Sequence, residues 1–307
     1  MTERPPLLLV DAPSLYFRAF FGIPKAAATA PDGSPVNAVR GFLDMLATLI
    51  RTRRPDRLVC ALDYDWRPQW RVELLPSYKA HRLSPTGGEV VPDELVPQVP
   101  LILEVLDALG ITAVGAAGYE ADDVVGTLAT TQPGPVEVVS GDRDLFQLVD
   151  DAKPVRLLYC GRGIAKLQDC DDAAVQGLYG VPAEAYADFA ALRGDPSDGL
   201  PGVAGVGEKT AARLIERYGS LAGILAALDE PGSGFAPGLR AKLLAAGGYL
   251  AVAPTVVRVA RDVPLAELDT ALPPAPADPD RLLALAEKWN LAGATRRIVD
   301  AMSGVRG

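Results

Sequence analysis

The chain has 307 residues, 49% hydrophobic and 22% charged. That is enough to bury a large core, in one domain or two, and it argues against a disordered or fibrous protein. Thirty-nine acids against thirty Lys and Arg leave a net charge of −9, which taken alone argues against a nucleic-acid partner. The three cysteines, Cys60, Cys160 and Cys170, have no CxxC spacing, and His81 is the single histidine. Both counts argue against a zinc site and against histidine-based catalysis, and the cysteines read as small residues in a reducing cytosol.

The polar start, "MTERPP", runs straight into an apolar strand pattern without a secretory signal. In chain order, "LLLVD" (Leu7–Asp11), "LVCALD" (Leu58–Asp63) and "VEVVSGD" (Val136–Asp142) are short apolar runs that each end in Asp. Between them, residues 36–55 and 95–111 carry apolar residues at helical spacing, the second stopping at Gly110. The alternation predicts an α/β fold: a mostly parallel twisted sheet flanked by helices. In such sheets ligands bind beyond the C-terminal strand ends, where the three aspartates fall. A single strand-ending Asp reads more readily as a turn residue; three of them, with the acids at 120–123, form a pattern that reading handles poorly. Residues 243–257, the longest uncharged stretch, are too few and too broken by Gly and Pro to span a bilayer, so no membrane partner is expected.

Further acids follow. "GYEADDVVGTLA" (118–129) opens a helix with Glu120, Asp122 and Asp123 in four residues. Helix capping explains one or two of these, but three repel one another. "SGDRDLFQLV" adds Asp142 and Asp144, and "LRGDPSDGLPG" adds Asp195 and Asp198. With Asp11 and Asp63 the set numbers nine, and without it the acids of the chain equal its bases. Hard divalent cations take oxygen ligands, and two such ions stabilise both oxygens of a phosphoryl displacement. Bound metal would offset the crowding at 120–123 and weaken the charge objection to nucleic acid.

"GVAGVGEKTAARLIERYG" (202–219) places Gly202, Gly205 and Gly207 in a loop that opens a helix, followed by Lys209 and Thr210. Unobstructed backbone amides at a helix N-terminus suit phosphate, and the pattern fits a helix–hairpin–helix gripping a DNA backbone. It is not a P-loop, because Glu208 separates the last glycine from Lys209 and no strand precedes it. A valine at Gly207 is expected to block the approach and to disfavour a positive φ. A capped glycine turn is the plainer alternative. In "WRVELLPSYKAHR" (70–82), Arg71, Lys79 and Arg82 flank Tyr78, a combination suited to phosphate contact and base stacking, or to a charged surface turn. Residues 71–100 are rich in Pro and Gly, so a long regular helix is not expected there without a partner.

Taken together, "LLLVDAPSLYFRAFFG", "LPSYKAHR", "GYEADDVVGTLA", "SGDRDLFQLV", "GDPSDGLPGVAGVGEKTA" and "RDVPL" resemble, in order, the 5′-nuclease (flap endonuclease) family. The likeness is closest to the N-terminal nuclease domain of bacterial A-family DNA polymerases, and it covers residues 7 to about 266. Departures are "LDYD" in place of the usual Phe-Asp-Ala, which matches Asp63 with Asp65 as a neighbour, and Ala12 and Pro13 after Asp11. No polymerase pattern follows, so a stand-alone nuclease or paralogue is expected. The resemblance implies a PIN-like nuclease domain at 1–175 with an arch at 71–100. It also implies a helical DNA-binding region at 176–262 and a C-terminal segment, 263–307, packing back on the nuclease domain.

It further implies cleavage of DNA at 5′ flaps and free 5′ ends, in replication and repair, with two or more Mg²⁺ or Mn²⁺ ions. Asp11, Asp63, Glu120 and Asp122 would hold one ion. Asp123, Asp142, Asp144 and Asp195 would hold the second, with Asp198 as an outer ligand. Water activated by metal would attack the phosphodiester. Lys79 would act on the phosphate, supported by Arg18 and Arg82; Tyr78 would stack on a base, and the glycine loop would bind duplex through K⁺. The expected partner is DNA with a flap, nick, gap or 5′ end, with an RNA primer strand as a further substrate. The expected protein is a monomer in the cytoplasm, on the bacterial nucleoid. The rival readings are a non-catalytic DNA-binding paralogue, whose sign would be missing acids, and a small ribonuclease. The length and the glycine loop weigh against the ribonuclease.

Overall fold

The short apolar runs form the strands of one sheet. The computed structural model describes residues 5–230, 232 and 234–306. The "MTER" start lies outside these, so the reading of the N-terminus rests on sequence alone. The strands are β1 (Leu7–Asp11), β2 (Arg57–Ala61), β3 (Thr112–Val114), β4 (Val136–Ser140), β5 (Val155–Tyr159) and β6 (Gln168–Cys170), in the order β3-β2-β1-β4-β5-β6. The first five are parallel, and β6 is antiparallel to β5.

Both faces of the sheet are covered, which is why β1, β2 and β4 are buried at every position. Leu8, Val10, Leu58, Cys60 and Val139 pack under α1 (Ala12–Gly22), α2 (Asn37–Arg53) and α4 (Gln98–Leu109). A short α3 (Gln69–Leu74) precedes α4. Leu7, Leu9, Val59, Val136 and Val138 face the opposite layer. There lie α5 (Ala121–Thr131) and the helical region of α6 (Asp172–Tyr179), α7 (Tyr186–Arg193), α8 (Glu208–Tyr218), α9 (Leu221–Asp229), α10 (Pro237–Ala245) and α11 (Gly247–Val257).

The chain then returns to the first layer. Leu58 donates to the Thr270 carbonyl and Leu272 to that of Asp56. After α12 (Pro279–Lys288), α13 (Ala292–Ser303) lies against α2, where Arg297 pairs with Asp44 at 2.7 Å. Between Leu74 and Gln98 there is no α-helix, only a short 3₁₀ turn at Ala80–Arg82 and an antiparallel bridge from Leu83 to Glu89. No helix among the described residues is long and apolar enough to cross a membrane.

Register positions the site. Asp11 lies opposite Ala61 in β2, and Val10 opposite Val139 in β4. Asp63 and Asp142, each two residues beyond its strand, therefore reach the same edge as Asp11. The strand order reverses between β1 and β4, the crevice where open α/β sheets bind ligands.

Candidate active site

A cleft of about 230 Å³ opens at that edge, lined by Asp11, Asp63, Glu120, Asp122 and Asp142 together with Lys79, Arg82 and Glu89. Asp11 caps α1 by accepting from the Ser14 amide at 3.2 Å, and its other oxygen accepts from the Ser140 hydroxyl at 2.5 Å. Asp63 accepts from the Ala121 amide at 2.7 Å, which ties the end of β2 to the start of α5. Asp65 instead holds the Gly118 amide, away from the lined cleft. Asp142 accepts from the Asp144 amide at 2.8 Å. Asp144 and Asp198 join Glu120 and Asp122 in an adjoining crevice.

These carboxylates hold their protons more tightly than free ones. Burial pushes Asp11 up to about 7, with the nearby Asp63 and Asp142 adding to it against the Ser140 and Ser14 hydrogen bonds. Burial and then Asp142 raise Asp122 and Asp144 well above the carboxylate range. Asp142 reaches solvent within the cleft, yet the walls, and then Asp198, raise it too. Burial raises Glu120 to about 7 against the attraction of Lys79 and Arg71.

The donor set fits hard divalent cations. It is all oxygen, mutually repelling, and includes a buried Asp144 oxygen, Oδ1, with no hydrogen-bond partner. Among the described residues no three acids are gathered as tightly as the ligands of one ion. Mg²⁺ keeps several waters and needs only one or two direct carboxylates.

Four expected site residues lie elsewhere or are already engaged. Arg71 is 2% exposed and does not face DNA. Its guanidinium donates to Glu120 at 2.6 Å, to both Asp123 oxygens at 2.7 and 2.6 Å, and to the Val256 carbonyl at 3.0 Å, while stacking on Trp70. Asp123 is fully buried and also caps α5 through the Glu120 amide, so the capping alternative accounts for it. The crowding at 120–123 is thus offset by Arg71 and Lys79 rather than by metal alone. The Tyr78 ring lies in the core with its hydroxyl donated to Glu120 at 2.7 Å, which leaves no open face for a base. Asp195 is buried against Ser197, Arg143 and Arg193, so its oxygens are taken.

Lys79 is 8% exposed and paired with Glu120. Arg82 bonds the Ser197 carbonyl and Asp198, which straps the 79–82 turn to the loop carrying the last two acids. Arg18 lies beside Gly141, bonded only weakly to the Gly161 carbonyl, with its Nε unpartnered. In the glycine loop, Gly202 and Gly205 have φ of +63° and +73°. A β-carbon on Gly202 would come within 2.5 Å of the Arg193 carbonyl oxygen. Gly207 differs from expectation: as N-cap of α8 it has φ of −93° and open space around it, so backbone strain does not require glycine there. Lys209 is exposed and Thr210 half-buried on the first turn of α8.

Sequence reading missed Ser14, Ser140 and Glu89. Ser14, three residues into "DAPS", carries an N-cap spacing that could have shown it. Ser140, fully buried, acts on the cleft through its bond to Asp11, and Glu89 reaches the cleft beyond the Leu83–Glu89 bridge.

The fold and this carboxylate edge place an acid-lined cleft at the switch point of a doubly wound sheet, the architecture of a nuclease domain. The model of the 5′-3′ exonuclease N-terminal resolvase-like domain matches residues 6–180, and that of the 5′-3′ exonuclease C-terminal SAM fold matches residues 181–280. A 5′-3′ exonuclease of Streptomyces coelicolor is 57% identical over 301 residues, covering 96% of this chain and all of that protein. One from Mycobacterium tuberculosis is 54% identical, covering 99% and 100%. DNA polymerase I of Mycobacterium bovis is 39% identical over 99% of this chain but only 32% of its own length. The chain belongs to the 5′-3′ exonuclease family. In fold it is similar to the T5 D15 protein co-crystallised with metal ions (TM-score 0.61, 18% identity, 97% and 99% of the two chains). It is also similar to the catalytic core of Rad2 with DNA substrate (TM-score 0.57, 16% identity, 97% and 92%).

Proposed function

We propose that this exonuclease-family chain is a structure-specific 5′ nuclease that hydrolyses DNA at 5′ flaps and free 5′ ends, using Mg²⁺ or Mn²⁺. The observation that carries the reading is the shared edge of β1, β2 and β4, where Asp11, Asp63, Asp122 and Asp142 line one cleft with Lys79 and Arg82. Divalent cations there would neutralise the phosphodiester and lower the pKa of water.

The protein's own groups do the rest. Ser140 and the Ser14 amide orient Asp11, and the Ala121 amide orients Asp63. Asp144 and Asp198, in the adjoining crevice, extend the oxygen surface. Arg18 and Arg82 flank the cleft as cations for the substrate phosphates. Lys79 supplies positive charge where the leaving strand develops negative charge. Gly202, Gly205, Gly207, Lys209 and Thr210 grip the duplex backbone, with K⁺ as an auxiliary ion. The 71–100 segment, free of α-helix between Leu74 and Gln98, closes over a 5′ single strand and so selects structure rather than sequence. DNA with a flap, nick, gap or 5′ end is the partner, and the protein acts as a monomer.

A 5′-flap duplex labelled at either end, with and without Mn²⁺, tests this. Metal-dependent cuts at the flap junction and at the 5′ end are expected. Binding without cleavage under all metals would favour a non-catalytic paralogue.

A further inference from the structure

Glu120 lines the cleft, yet both of its oxygens are already engaged. Oε2 accepts from Arg71 at 2.6 Å and from the Tyr78 hydroxyl at 2.7 Å, and Oε1 pairs with the Lys79 ammonium. These partners are not equally fixed. Arg71 is locked by four further hydrogen bonds, to Asp123, Val256 and Arg258. Tyr78 is anchored by its buried ring. Among the described residues the Lys79 ammonium is held, besides Glu120, by weak contacts alone: the Trp66 carbonyl at 3.4 Å and the face of the Tyr78 ring, 5.2 Å from its centroid. Its backbone is left-handed, with φ of 47° and ψ of 20°, a conformation a lysine rarely adopts. It sits on the turn that lines the cleft beside Arg82.

On the reading that the cleft holds divalent cations, an ion reaching Glu120 must share Oε1 with an ammonium. Two cations in contact with one oxygen repel strongly in a buried site. Of the three partners only the lysine, on its flexible four-carbon stem, can leave. We infer that Lys79 is the resident counter-ion of Glu120 in the metal-free protein, and that a divalent cation displaces it and frees its ammonium into the cleft. Metal loading and presentation of the lysine to the substrate phosphate are then one event. Without metal the ammonium stays sequestered, and the protein binds DNA with that charge withheld.

The test uses the full chain without DNA. Mn²⁺ binding is followed by calorimetry, and acylation of each lysine by peptide mass spectrometry, with exposed Lys166 and Lys209 as internal references. Saturating Mn²⁺ should raise the Lys79 acylation rate about tenfold relative to those references, the factor that 1.4 kcal/mol of lost protection represents. Glu120→Gln should make Lys79 reactive without Mn²⁺. If that variant does not fold, Lys79→Met provides the second arm and should bind Mn²⁺ about tenfold more tightly. Mn²⁺ binding with Lys79 still protected would overturn the exchange and leave the metal reading standing. No Mn²⁺ binding at all would overturn both. Unchanged or weaker Mn²⁺ affinity in Lys79→Met would also overturn the exchange.

Discussion

Replacing Arg71 with Ala should destabilise the protein by about 3–5 kcal/mol, the cost of removing one partner from a buried ion pair. The guanidinium is 2% exposed and Asp123 fully buried, so neither carboxylate can turn to water once the arginine is gone. Glu120 would keep Lys79 and Tyr78. Asp123 would keep the amides of Glu120 and Ala260, at 3.1 and 2.7 Å, but no cation. Partial compensation places the expected loss toward the lower end, at about 3 kcal/mol. A domain stable by about 5–15 kcal/mol would lose a large share of its margin. Equilibrium urea unfolding reads this directly as a fall in midpoint at constant slope. Arg40→Ala, which removes an exposed pair with Asp44 at 3.9 Å and an exposed hydrogen bond to the Ala27 carbonyl at 2.7 Å, serves as the control and should cost about 1 kcal/mol or less. A loss below about 1 kcal/mol for Arg71→Ala, accompanied by weaker flap binding, would return Arg71 to the DNA surface and refute the reasoning.

Gly202→Val should weaken duplex binding and stability together, because of its positive φ and its closeness to the Arg193 carbonyl, whereas Gly207→Ala should leave the fold intact. Equal effects on urea midpoint would contradict the difference in geometry. Asp11 binds its proton near pH 7 in the folded state and near 3.8 unfolded, so the metal-free protein loses stability as pH rises between those values. Glu120 acts in the same direction, from 4.5 to about 7. Mg²⁺, which opposes this, should raise the unfolding midpoint more at pH 8 than at pH 5, and an equal gain at both would be the contrary result. Amides across 80–95 should exchange rapidly in the free protein and slow on binding a 5′ flap, since beyond Ser84 to Gly88 and Val90 to Arg82 they are held only by isolated turn bonds such as Leu83 to Ala80 and Gly87 to Ser84, with no α-helix or sheet ladder behind them. Equal protection in both states would count against an arch that closes on the strand.

The sheet was legible because β1, β2 and β4 are buried on both faces, so apart from Arg57, Glu137 and the closing Asp11 and Ser140 their sequence is apolar and stops where the chain turns. β3 and β6, three residues each with exposed positions, leave no such run. The acids at 11, 63 and 142 were legible as a group because parallel register brings equivalent strand ends together, and Asp122 joins them from the first turn of α5. Asp123 was not separable from Asp122 by composition. One residue of helical rotation turns it from the cleft into the core, where Arg71 receives it. Arg71 and Tyr78 read as surface groups because basic and aromatic residues in a proline-rich stretch ordinarily are. The packing of α3 against α11 buries Arg71, and Tyr78, in the turn beyond α3, joins the same core with its hydroxyl on Glu120. Gly207 looks like its neighbours Gly202 and Gly205 in sequence, but its φ is set by its place as N-cap.

We propose that the carboxylates of the cleft and of its adjoining crevice hold the cations needed to cut the 5′ strand. Single-turnover cleavage of a 5′-flap duplex by Asp142→Ala and Asp144→Ala, at saturating DNA and Mn²⁺, tests it most directly. Both variants should fold and bind the flap, while their rates fall by about 10² or more, the scale of removing a group that stabilises transition-state charge. Near-wild-type turnover in either variant would contradict the account.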